Sequence, residues 1–163
     1  PPPLSPPFKS YLDWQINDNK KAGFSALGPG VMFCVGDREM VARVSRQRIQ
    51  IQSPDFVAVA LTILNGKQWT EADRILLTVC GRCENVGMGF SQDRRTIGSK
   101  WGGPPARIEA PAGTVEVPPA PWTCHALKPN GSLGPVVPVK NENNKSIVSI
   151  SPEFQTMWYL LTK

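Results

Sequence analysis

The chain has 163 residues, of which 40% are hydrophobic, 14 are glycine and 17 are proline. That length suits one domain with a real core, and so many breakers exclude long helices in favour of short strands and turns. The net charge of +5 is spread along the chain; Arg38, Arg43, Arg46 and Arg48, then Arg94-Arg95, fall short of a nucleic-acid-binding face, and no window approaches the roughly 20 apolar residues of a membrane span.

The opening Pro1-Pro-Pro-Leu-Ser-Pro-Pro7 carries no signal-peptide pattern. It reads as an extended linker remnant, which makes residues 8–163 a single domain cut from a longer protein. Phe8 to Ile16 alternates loosely and is expected to be an edge strand. Asn17 to Lys21 is a turn. The glycine-rich stretch Gly23 to Gly30 has no phosphate-loop spacing and is expected to be a loop. Val31 to Val35 is a short strand. Met40 to Val44 and Gln47 to Gln52 are expected to be a strand pair, the second alternating polar and apolar as a half-exposed strand does.

Two runs stand apart. Phe56-Val-Ala-Val-Ala-Leu-Thr-Ile-Leu64 and Arg74-Ile-Leu-Leu-Thr-Val-Cys-Gly81 are rich in aliphatic and β-branched residues and free of proline. This is the composition of strands buried on both sides, so the pair is placed at the middle of a β core. The glycines of Cys80 to Phe90 mark a bulge or a close backbone approach. Ser91 to Gly103 is a polar loop. Ala106 to Ala110 and Gly113 to Val117 are expected to form a hairpin around Pro111-Ala112. Trp122 to Leu127, then an edge strand from Leu133 to Val139 with Pro135 and Pro138, then Ser146 to Ile150 and Thr156 to Leu161, complete the chain. Ten or more short strands at this spacing predict an all-β, antiparallel β-sandwich, jelly-roll-like.

Four cysteines invite a metal or redox interpretation of Cys80-Gly-Arg-Cys83. A zinc site wants a second close pair, and the one histidine, His125, stands beside Cys124. Residues three apart in a strand also face opposite ways, so the cysteines are expected to be small buried apolar groups; a disulfide between two of the four is left open. No nucleophile-elbow, phosphate-loop or zinc-helix motif is present. Nothing in the spacing of Glu84, Glu109 and Glu116 singles out a facing carboxylate pair. Arg82, Glu84 and Asn85 are expected to brace a strand end through an Arg–Glu contact and an Asn turn.

From Ser53 to its end the chain resembles an accessory β-sandwich domain that follows the catalytic barrel in some large bacterial glycoside hydrolases. Phe56 to Lys67, Ala72 to Met88, Asp93 to Gly98, Trp101-Gly102, Pro104-Pro105, Ala126 to Gly131, Ser151 to Phe154 and Trp158-Tyr159 carry the resemblance. Cys80, Cys83, Val86 and Trp69 depart from the pattern. The resemblance implies a non-catalytic module in a secreted, glycan-processing polypeptide whose partner is a glycoside hydrolase catalytic domain.

Aromatic rings offer flat apolar surface to the C–H faces of sugars. Trp158 is expected in the core, and Trp122 at a strand start. Trp69, among Lys67, Gln68, Thr70 and Glu71, and Trp101, beside Gly102-Gly103, sit in segments unlike a core. The expected carbohydrate site is therefore Trp69, with Trp101 or Trp14, and with Gln68, Asp93 and Arg94 binding hydroxyls. The expected function is a carbohydrate-binding module for β-glucan-type plant polysaccharide such as cellulose, with no cofactor and a structural calcium left open. The alternative is a structural sandwich packed on a catalytic domain, with no ligand of its own. A binder exposes coplanar aromatics on one face; a packed module exposes a broad apolar patch.

Overall fold

A computed structural model describes residues 11–66, 68–92, 94 and 96–163. Pro1 to Ser10 and Asp93 lie outside the described residues, and with them the linker, the start of the first strand and one expected carbohydrate contact.

The strands are β1 (Tyr11–Ile16), β2 (Ala22–Leu27), β3 (Val31–Asp37), β4 (Ile49–Ser53), β5 (Phe56–Ile63), β6 (Arg74–Cys80) and β7 (Cys83–Val86). They continue as β8 (Gly103–Ile108), β9 (Ala112–Val117), β10 (Thr123–Leu127), β11 (Leu133–Val137), β12 (Val139–Glu142), β13 (Lys145–Ile150) and β14 (Trp158–Thr162). One helix, α1 (Arg38–Val44), and a 3-10 turn at Pro152–Phe154 join them. An eight-stranded sheet runs β1-β2-β3-β5-β6-β14-β10-β11, a four-stranded sheet runs β12-β13-β9-β4, and β7 pairs with β8 alone. Every pairing is antiparallel. This is the expected all-β sandwich, with β5 and β6 neighbours at its middle.

Side chains on alternate residues of a strand face opposite sides of a sheet. One set from the large sheet is the core: Cys34, Val57, Val59, Leu61, Ile75, Leu77, Val79, Cys124 and Leu161 are fully or almost fully buried. The small sheet answers with Ile49, Ile51, Val115, Val117, Val148 and Ile150.

Two local expectations are corrected. Met40 to Val44 is helix, because Met40, Val41 and Val44 recur at helical spacing and drop onto β2, β3 and β4. Gly23, in the stretch expected to be a loop, belongs to β2, and its missing side chain makes room for Met40. The expected hairpin around Pro111-Ala112 does not form. Buried Pro111 separates β8, which pairs with β7, from β9, which lies between β13 and β4.

Candidate functional site

The β5–β6 connection is built around Asn65. Its Oδ1 accepts the N–H groups of Asp73 (3.1 Å) and Arg74 (2.9 Å). Its Nδ2 donates to Asp73 Oδ2 at 3.3 Å. Ala72 anchors the loop in the core. Trp69 folds back against that core and donates Nε1–H to the Gly28 carbonyl at 3.1 Å. The half-buried indole becomes one wall of a cleft of about 700 Å³. Leu27, Pro29, Met32, Leu61, Pro118 and Pro119 supply apolar walls, and Gln68, Thr70, Arg48 and Glu116 add polar groups.

The other expected carbohydrate residues are elsewhere. Trp14 is 62% exposed on β1, at the edge of the large sheet. Trp101 is 63% exposed beside β7–β8, where its carbonyl accepts from Asn85 Nδ2 at 3.1 Å. Arg94 donates to Glu84 Oε2 at 2.6 Å and lies 4.2 Å from the centre of the Phe90 ring. Neither Trp101, Arg94 nor Trp14 lines the Trp69 cleft. The structure thus unites Trp69 with Gln68 and leaves Trp14, Trp101 and Arg94 apart, while Asp93 lies outside the described residues. Arg94, rather than Arg82, is the partner of Glu84; Arg82 stacks over Phe56 at 5.4 Å.

A second surface is larger. The outer side chains of the eight-stranded sheet form transverse rows, read from the strand register. One is Val31, Thr62, Leu76, Leu160, His125 and Val136. The next is Leu12, Ala26, Phe33, Ala60, Thr78 and Trp158. The third is Trp14, Phe24, Val35, Ala58 and Cys80. None of the three rows contains a charged side chain. Leu12, Trp14, Val31 and Val136 are exposed, while Phe33, Leu76, Trp158 and Leu160 are half-buried. Trp158 was expected in the core; its neighbours Tyr159 and Leu161 take that place, and the pleat turns its ring outward.

Among the described residues, no element packs on this face. Helix α1 contacts the sheet from the side of the small sheet, where Met40 meets Gly23 and Ser25 donates to the Val44 carbonyl at 3.3 Å. The sequence reading of β5 and β6 as strands buried on both sides is therefore half met. Their second apolar side has no covering element among the described residues. That absence of polar-outward alternation was the available signal for this face.

The four cysteines are unpaired. Burial pushes the Cys34 thiol up to about 11 and the Cys124 thiol up to about 12. The Cys80 thiol is raised by burial and, secondarily, by nearby Cys83. Cys83 is exposed rather than buried, because β6 ends at Cys80 and a new strand begins at Cys83. Among the described residues, no group of three or more His, Cys, Asp or Glu is placed to hold a metal, and no helix is long and apolar enough to cross a membrane.

No family model, curated protein or solved structure matches this chain.

Proposed function

We propose that the chain is a non-catalytic β-sandwich module that docks on a neighbouring protein domain through the outer face of its eight-stranded sheet. The observation that carries this reading is the set of three adjoining rows without a charge, spread over that sheet. A sheet side that faces water normally carries polar side chains, and soluble monomers rarely expose contiguous apolar patches larger than a few hundred Å². The centre of a protein interface is depleted of charged residues and enriched in aromatics, as Trp14, Phe24, Phe33 and Trp158 are here. A stable interface takes roughly 20–30 residues from each partner, and the three rows alone contribute 17. Charges return at its margins, at Asp37 and Arg74, where a polar rim belongs.

The resemblance to accessory domains of glycoside hydrolases supports a catalytic domain of the same secreted polypeptide as the partner. The scattering of Trp14, Trp69 and Trp101 favours docking over a single aromatic platform for a polysaccharide chain.

The test is to co-express the chain and the catalytic part of its polypeptide as two separate chains. They should co-elute in size-exclusion chromatography. Ala60→Lys, which plants a charge mid-face where Ala60 is half-buried, should separate them without lowering the melting temperature of the module. Independent elution of the two unaltered chains would refute docking.

A further inference from the structure

Docking leaves the Trp69 cleft unused. Its volume of about 700 Å³ lies within the roughly 300–1,000 Å³ of small-molecule sites. Its walls are stiff. The indole is fixed by the bond from Nε1 to the Gly28 carbonyl, and Pro29, Pro118 and Pro119 have little conformational freedom to lose. With its N–H spent, Trp69 can offer a ligand only ring surface, which suits C–H groups rather than hydroxyls.

The charges in the cleft are unequal. Glu116 is neutralised by Lys145 at 2.9 Å. Among the described residues, Arg48 is the single cation lining the cleft, and its guanidinium has no hydrogen-bond or ion-pair partner among them. An unpaired guanidinium is a ready receptor for a carboxylate, which it can bind through two parallel hydrogen bonds. Gln68 gives its amide nitrogen to Glu71 at 3.1 Å and keeps its side-chain oxygen for a hydroxyl; Thr70 adds a group that both donates and accepts.

We propose that the Trp69–Arg48 cleft binds a pyranose bearing a carboxylate, the uronic-acid class of saccharide. The indole and proline walls take the C–H faces of the ring, Gln68 and Thr70 take hydroxyls, and Arg48 takes the carboxylate. The cleft lies off the outer sheet face, so this binding and the docking proposed above stand or fall separately.

The test uses the full chain with three probes: trigalacturonate, a neutral galactose trisaccharide, and an acidic peptide of equal charge. Binding is followed by calorimetry and by the indole N–H resonance of Trp69. Trigalacturonate should bind and shift that resonance. The neutral sugar should bind about tenfold more weakly, the loss of one charge-assisted contact. Arg48→Gln, at an exposed position, should bring the acidic sugar down to the level of the neutral one while the fold is kept. No binding of trigalacturonate, equal affinity for acidic and neutral sugars, an equal response to the peptide, an unmoved Trp69 resonance, or an Arg48→Gln variant that binds as before would each overturn the proposal.

Discussion

Cys34 and Cys124 show how a side chain's surroundings become a stability term. Both are fully buried, and their ordinary thiol value of 9.0 rises to about 11 and about 12. Below pH 9 the thiol holds its proton folded or unfolded. Above it the unfolded thiol ionises and the folded one does not, so each extra pH unit favours unfolding until the folded value is reached. Denaturant titrations should therefore show stability falling from pH 9 towards 11 and 12, by at most about 1.4 kcal/mol per unit for each thiol. Cys34→Ala should flatten that slope. Tyr159, raised chiefly by its burial, adds to the loss in the same direction. Thiol labelling of the native chain should mark exposed Cys83 first and reach Cys34 and Cys124 only on unfolding. Sequence spacing predicted buried cysteines, and it held for these two. It failed at Cys83, because the chain leaves one strand and enters another between Cys80 and Cys83. Trp69 was legible as a loop residue with a special environment; the carbonyl it would find at Gly28, 41 positions away, was not.

Elements were legible where two-residue alternation was clean and obscure where another element dictated the choice. Arg48 to Gln52 shows that alternation, and Ile49 and Ile51 do turn inward. Met-Val-Ala-Arg-Val looks like a strand by composition, yet it forms helix because burying Met40, Val41 and Val44 together needs helical spacing. Pairing partners were the least legible feature, since the hairpin signal at Pro111 cannot reveal that its two arms enter different sheets. Close strand approach sets further demands. A Cβ on Gly113 would run into the Gln50 carbonyl across the β9–β4 pair. Gly113→Ala should cost about 1–3 kcal/mol in urea unfolding. Leu77→Ala, which opens a cavity between the sheets where Leu77 is wholly buried, should cost about 2–5 kcal/mol. Trp14→Ser, on the exposed edge strand, should stay within about 0.5 kcal/mol.

At the scale of the molecule, the sandwich buries one side of its eight-stranded sheet and leaves the other apolar and uncovered among the described residues. A sheet facing water normally alternates apolar inward with polar outward. Here β3, β5, β6 and β14 are largely apolar on both sides, and a domain gains nothing by placing Phe33, Leu160 and Trp158 in water. The sequence carried this information, because β5 and β6 have the composition of strands covered twice. What it could not convey is that, among the described residues, the second side has no covering element. Hydroxyl-radical footprinting of the chain alone and of the chain mixed with the proposed catalytic partner domain is the most direct check on an uncovered outer face. Leu12, Trp14, Phe33, Trp158 and Leu160 should be modified in the chain alone and protected in the mixture, while Trp101, off this face, should be modified in both. Equal modification of the outer-face residues in the two samples would contradict docking through that face.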